Sequence, residues 1–332
     1  MFVEAIEAIL HDQFTPAAIR AAEGGDAVRT QWDVLAEAGF LELLTPEAAG
    51  GASLTLSEIF PVLVCIGWHA LPVPLAQSIA ARGLLQQAGA TPPAGMITLA
   101  QSVRRLEDGG IECAWTPFGT SADHVLAGVE DSLLVLDASL AERAGTGVHG
   151  DQSATLRWPR GAVPLPLEAP GMDVETWGAA LHAALIAGAA SRVFELTLQY
   201  CNDRSQFGRS IGKYQAIQHQ LSVMAEQVAA TSMAAEMAFA GRGLQPDRLL
   251  AAIAKGRGSE AAAWIAATAH ALHGAIGVTE EYDLQLLTRR LHAWRIAHGS
   301  EAFWSGVLGQ AWLARRQGHA VDFVRQVQQR AG

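Results

Sequence analysis

Arg204, Arg209 and Lys213 sit in a glycine-containing stretch, Arg204-Ser-Gln-Phe-Gly-Arg-Ser-Ile-Gly-Lys213, that interrupts two long apolar-periodic segments. An arginine beside a flexible glycine can present a planar fork of donors to phosphate oxygens. A helix starting just beyond it directs free N–H groups and the positive end of its dipole the same way. The chemistry open to such a turn is the cradling of a diphosphate. The same residues would also serve as a solvated basic loop between two helices, and the stretch alone leaves both readings standing. Arg289, Arg290 and Arg295 form a second basic group, which reads as surface or intersubunit ion pairs.

Other chemical signals are weaker. Gly145-Thr-Gly-Val-His-Gly150 has the letters of a dinucleotide fingerprint, but such a motif must follow a strand and open a helix within a βαβ unit. Here it reads as a loop at the edge of a β domain. His270, His273, His292 and His298 crowd one region without the spacing of a metal site, and no GxSxG elbow supports a serine hydrolase. Cys65, Cys113 and Cys201 are scattered, odd in number and without a CxxC pair, so they read as small buried hydrophobes.

The elements that must carry these residues follow from periodicity. Residues 1–91 read as short helices, with Phe2, Ile6, Ile9 and Leu10 on one stripe, Trp32, Leu35 and Ala36 on another, and turns at Pro46 and Gly50-Gly51. Residues 92–172 change texture. Met96–Leu99, Ile111–Trp115, His124–Leu126 and Leu133–Leu136 are spaced by Gly, Asp and Pro as strands are, and the proline-rich stretch 164–170 suits a linker. Residues 173–332 are helical again. Leu181, Leu185, Gly188 and Ala189 share one helix face, and Ile217, Leu221, Met224, Val228 and Ala235 share another, as in a bundle. The expected fold is mainly α, with an N-terminal helical domain, a small β-barrel-like middle domain and a C-terminal four-helix bundle.

Composition narrows the function classes. A chain of 332 residues with a formal charge of -10 lacks the net cationic character that general nucleic-acid binding requires. No apolar run reaches the roughly 18–20 residues of a membrane span. The N-terminal segment carries Glu4, Glu7 and Asp12 instead of the basic start of a secretory signal. These features read as a cytoplasmic protein.

Arg204, Phe207 and Gly208, followed by Gln215, resemble the Arg-x-x-Phe-Gly turn and helix-opening glutamine of the acyl-CoA dehydrogenases. Leu272–Asp283 is similar to the family's glycine turn, and Trp32–Phe40 with Pro46-Glu47 and Gly50-Gly51 resembles its N-terminal pattern, so the resemblance runs almost end to end. It implies the acyl-CoA dehydrogenase fold and flavin adenine dinucleotide (FAD) as cofactor. It further implies that Gly274 and Gly277 let the backbone approach a dinucleotide and that Thr279 and Glu281 begin the next helix. In the family FAD takes a hydride from an acyl-CoA while a carboxylate takes the proton.

That carboxylate is missing. Its usual place, counted without gaps from Gly274, is His298-Gly299-Ser300. The alternative place, counted back from Ile253-Ala254-Lys255, is Arg248, which stays charged and cannot accept a proton. His298 could titrate near neutrality and Asp247 is a carboxylate beside the alternative place, so both remain candidates and the catalytic residue is unassigned. Ala271 replaces a glutamine that many relatives use toward flavin, and Leu99–Arg105 replaces a Thr-Glu-Pro loop. In the family one chain holds the flavin while its neighbour lends the Arg-x-x-Phe-Gly turn. The resemblance therefore implies a shortened, base-lacking subunit of a heteromeric bacterial acyl-CoA dehydrogenase, of the kind known in steroid side-chain degradation, paired with a full-length subunit in an α2β2 assembly. A homomeric enzyme with an atypical base, and a flavin-free scaffold of the same fold, are the alternatives.

Overall fold

A computed structural model describes residues 2–25, 28–315 and 318–331. Among the described residues the N-terminal part holds five α-helices: α1 (Phe2–Gln13), α2 (Pro16–Glu23), α3 (Val28–Glu37), α4 (Leu56–Trp68) and α5 (Leu75–Gln87). Local chemistry sets their starts. Thr15 accepts from the Ala18 N–H and precedes a proline at the first position of α2; Thr55 and Glu58 form a reciprocal capping box on α4. Of the stripe expected in α1, Ile6 and Leu10 are buried, Ile9 packs at the margin and Phe2 at the helix end is exposed.

The middle part contains eight strands: β1 (Ile97–Leu99), β2 (Arg104–Arg105), β3 (Ile111–Thr116), β4 (His124–Val129), β5 (Ser132–Asp137), β6 (Glu142–Gly145), β7 (Ala154–Trp158) and β8 (Leu167–Glu168). They form two four-stranded sheets, in the orders β1-β4-β5-β8 and β2-β3-β7-β6. β1 runs parallel to β4 with Ile97 opposite His124, while β4 and β5 form an antiparallel hairpin from His124↔Asp137 to Val129↔Ser132. Ile111, Cys113, Val125, Leu134, Leu136, Leu156 and Trp158 form the core of this part. The GxGxxG letters begin at the end of β6 and run through the loop to antiparallel β7, with no helix after them.

The C-terminal part begins with α6 (Val174–Asp203), a small hairpin of β9 (Ser205–Gln206) and β10 (Arg209–Ser210), and α7 (Gln215–Ala238). It continues with α8 (Arg248–His273), α9 (Leu284–Ile296), α10 (Glu301–Leu313) and α11 (Ala320–Gln328). Asp173 caps α6 and Ser300 caps α10. The first half of α6 is buried on every side from Thr176 to Ala190, because α4, α7, α8 and α9 all pack on it. Its apolar residues are thus not confined to the single face that the spacing suggests. α4 and α6 cross in backbone contact. A β-carbon on Gly188 would lie 2.0 Å from the Val64 carbonyl oxygen, and one on Gly67 2.2 Å from that of Leu185. Only glycine permits so close an approach.

Two segments, Val174–Asp203 and Arg248–Val278, are long and apolar enough by length and composition to cross a membrane, which the reading of apolar runs missed. Most of the first is buried within the bundle. Cys113 and Cys201 are buried and Cys65 is half-buried, all three as free thiols; burial pushes Cys65 and Cys113 up to about 12, so neither is a ready nucleophile.

Candidate functional site

The turn that begins at Arg204 is a two-residue β-hairpin. Gln206 pairs with Arg209 and Ser205 with Ser210, while Phe207 (φ 51°) and Gly208 (φ 81°) both take the left-handed conformation at its tip. Its base is fixed to the chain. The Ser210 hydroxyl donates to the Cys201 carbonyl at 2.9 Å, the Ile211 N–H to the Arg204 carbonyl at 2.8 Å, and the Tyr214 hydroxyl to the Gln206 carbonyl at 3.1 Å. The Arg209 guanidinium lies 4.1 Å from the centre of the Tyr214 ring. The tip is free. Phe207 is 92 % exposed, and among the described residues the Arg204 guanidinium has no hydrogen-bond or ion-pair partner. Gln215 opens α7, and Tyr214 before it supplies no side-chain cap, which leaves the first N–H groups of that helix open.

The glycine turn lies at the same end of the bundle. The Tyr200 hydroxyl, one helical turn before Arg204, donates to the His273 carbonyl at 3.2 Å, and the two rings stack at 4.4 Å. Leu272 packs with Cys201 and Leu221. The two glycines differ. Gly274 ends α8 at φ 64° with no atom within 4 Å of an added β-carbon, whereas Gly277 is buried with its own His273 β-carbon 2.8 Å from that position. Gly274 thus offers open backbone, and Gly277 is required by packing within its own turn. Thr279 and Glu281 lie in a turn rather than at a helix start; α9 begins at Leu284.

The two places where a base is expected are taken up by the chain's own contacts, the first buried and the second ion-paired. His298 is 1 % exposed at φ 51°, and its ring lies on Gly178, where a β-carbon would come within 2.0 Å of Nδ1. It is tilted against the His182 ring at 5.0 Å. Its N–H donates to Gln101 Oε1 at 3.0 Å, and its carbonyl accepts from the Trp304 indole at 2.8 Å. Burial, with His182 and Lys255 nearby, holds His298 well below its ordinary value; burial brings His182 to about 3. Lys255, wholly buried, donates to Ser259 Oγ and to the carbonyls of Arg295 and Gly299, and burial brings it down to about 7. Arg248 donates to Asp173 and Glu175 at 2.6 Å each and lies over Trp304. Asp247 accepts from the Leu249 and Leu250 N–H groups as the cap of α8 and pairs with Arg330.

An open cleft of about 360 Å³ lies between Pro117-Phe118, the loop 148–153 and the α9 face from Arg289 to Ala297. Arg289 and Arg290, expected on the surface or between subunits, instead pair with the buried Glu23 of α2, and Arg295 pairs with Glu301. The contacts of Gln101, Gly178 and Lys255 around His298 are what sequence reasoning gave no role. Lys255 alone carried a signal: a lysine on an alanine-rich helix, flanked by Ala254 and Gly256.

Comparison with known proteins places this geometry in a family. Acyl-CoA dehydrogenase IpdE2 of Mycobacterium tuberculosis is 30% identical over 296 residues, which cover 88% of this chain and 90% of that one. The chain belongs to the acyl-CoA dehydrogenases. Residues 172–312 match the model of the acyl-CoA dehydrogenase C-terminal domain. The IpdE2 of Mycolicibacterium smegmatis is 29% identical over 87% of this chain and 90% of its own. Among solved structures, the Tcur3481-Tcur3483 steroid ACAD superposes with a TM-score of 0.77 at 27% identity, covering 92% of this chain and 94% of that one. The ChsE4-ChsE5 complex of Mycobacterium tuberculosis shares the fold, with a TM-score of 0.81 over 95% of this chain and 97% of that one at 20% identity. FAD, the cofactor that this acyl-CoA dehydrogenase family implies, finds suitable groups at the hairpin end, where Arg204 is unpaired and Gly274 is open. At the other place Gln101, Lys255 and Trp304 are spent on the protein's own backbone.

Proposed function

We propose that this chain is the base-lacking subunit of an FAD-dependent acyl-CoA dehydrogenase, which pairs with a longer acyl-CoA dehydrogenase subunit in an α2β2 assembly and acts in the cytoplasm on a bulky acyl-CoA of steroid side-chain type. The observation that carries the reading is the hairpin: an unpaired arginine and a 92 % exposed phenylalanine at its tip, on a chain whose two base positions are filled by a buried histidine and an ion-paired arginine. FAD supplies hydride acceptance. Arg204 would hold its diphosphate through the guanidinium fork, assisted by the open start of α7, and the open backbone at Gly274 would let the dinucleotide come close. Phe207, 92 % exposed at the tip, would be free to meet the partner beside it. The proton goes to a carboxylate of the partner, since His298 is sealed from substrate and Asp247 is held as a helix cap. Similarity to a protein titled a steroid ACAD, itself named as a pair of chains, supports the substrate class and the heteromer.

The test is co-purification. Alone, the chain is expected to lack yellow flavin absorbance; purified with its partner, the complex is expected to carry FAD and to oxidise acyl-CoA. In that complex His298→Gln and Asp247→Asn each leave turnover within about tenfold, whereas removing a true general base costs about 10² to 10⁴. Full flavin occupancy and activity of the lone chain, abolished by His298→Gln or by Asp247→Asn, would establish the homomeric enzyme instead. A complex that binds no flavin at all would leave the scaffold reading.

A further inference from the structure

We infer that Arg20 is a positioning residue for the glycine turn, holding the segment 274–283 in the attitude that a partner-held FAD meets; this rests on the functional reading above. Arg20 lies on α2, far from the turn in sequence and in a different domain. Its Nε and Nη2 donate to the Glu280 carbonyl at 3.3 and 3.2 Å, and Nη2 also to the Glu281 carbonyl at 3.2 Å and the Asp283 carboxylate at 2.8 Å. One side chain thus gathers three oxygens of a turn that has no regular hydrogen-bond ladder.

The state of Asp283 shows what this grip does. Asp283 stands at the capping position of α9, where an aspartate ordinarily accepts from the first N–H groups of the helix. It makes no such bond here. Its backbone is already helical (φ -68°, ψ -17°), and its carboxylate is turned to Arg20. The local cap is forgone for a tie between domains. Five residues upstream, the one-turn helix Gly274–Val278 joins this segment to the end of α8, and Gly274, at φ 64° with open space around it, is its hinge. A displacement at 280–283 therefore passes directly to the backbone at Gly274.

One turn further along α2, Glu23 does a different job. Its side chain is 2 % exposed and accepts from Arg289 and Arg290 of α9 at 2.5 Å each. Breaking that buried cluster strands two guanidinium groups and unsettles the fold. Arg20 is 30 % exposed and Asp283 50 %, so losing Arg20 lets water reach the carbonyls and lets Asp283 cap α9. The expected result is a turn in a new position on an equally stable chain.

The experiment uses the complex of this chain with its partner subunit, stripped of flavin and titrated with FAD, for wild type, Arg20→Ala, Arg20→Lys and Glu23→Gln. Arg20→Ala is expected to raise the FAD dissociation constant about tenfold, the effect of losing roughly one backbone hydrogen bond to the ligand. Its flavin-free melting temperature should be unchanged and its hydrogen exchange faster at 274–283. Arg20→Lys should recover part of the affinity, and Glu23→Gln should lower the flavin-free melting temperature. Wild-type FAD affinity in Arg20→Ala, or an affinity loss matched by a fall in the flavin-free melting temperature, would overturn the inference while leaving the functional reading intact. A wild-type complex that takes up no FAD would overturn both.

Discussion

Phe207-Gly208 and His298-Gly299 are two copies of one backbone device. In each, a bulky residue sits at φ 51° and is followed by a glycine in the same half of conformational space, at 81° and 93°. A left-handed conformation costs such residues about 1–3 kcal/mol and persists only where the surroundings hold it. Around His298 the surroundings are the chain itself: Gln101 takes its N–H, Trp304 its carbonyl, and Gly178 makes room for the ring. Around Phe207 the ladder of a two-residue hairpin is all there is, and the ring is in water. The same strain thus serves an internal seal in one place and an outward display in the other. On the function proposed above, the return on the display lies beyond this chain.

The largest expected effect tests the seal. Gly178→Ala drives a methyl group into the His298 ring and should cost about 3 kcal/mol, read as a fall in melting temperature. Gly208→Ala adds its methyl to open space and costs only the conformational strain, about 1–2 kcal/mol. Equal losses would mean that the interior is looser than described. Next, Arg204→Ala in the assembled enzyme should weaken FAD by roughly 1.5–3 kcal/mol, tenfold or more by titration, with the stability of the flavin-free chain unchanged; unchanged affinity would remove the display from the cofactor site.

Acid should separate the two regions again. His182 has a folded value near 3 against an ordinary 6.5, and His298 is lowered in the same direction, so between those values the unfolded chain holds the extra protons. The histidine contribution to stability is therefore full above about 6.5 and falls as pH drops, by about 2 kcal/mol at pH 5 from His182 alone. Lys255, at about 7 against 10.5, adds stability as pH rises through that interval. His182→Gln should flatten the acid limb of denaturant midpoints measured at pH 7, 6 and 5, and an unaltered limb would show that the sealed histidines do not control it. The smallest effect concerns Phe207→Asn, which tolerates the left-handed region. It should stabilise the isolated chain by about 0.5–1 kcal/mol while weakening its association with the partner; tighter association would contradict the outward role.

Legibility in the sequence followed the range of the interactions. The turn, though not its hairpin pairing, was visible because Arg204, Phe207, Gly208 and Gln215 are near neighbours in the chain. The strands β1, β3, β4 and β5 were visible as apolar runs between turn residues, whereas β6, Glu-Arg-Ala-Gly, is wholly exposed and carries no such pattern. The absence of a carboxylate at 298 and 248 could be read by counting. What fills those places could not, because Gln101 lies 197 residues from His298 and Asp173 75 residues from Arg248. Arg20 was silent for the same reason, its acceptors being mostly backbone carbonyls that no side-chain letter encodes.

The crossing of α4 and α6 has a consequence for how such a chain could change its diet. With Gly67 and Gly188 pressed against opposing backbone, no layer of side chains lies between the two helices to slide, thin out or be repacked. The junction behaves as a weld. A descendant that had to accept a wider cargo could not prise the N-terminal helices away from the bundle at this point; it would have to carve room by trimming side chains elsewhere, while both glycines stayed where they are.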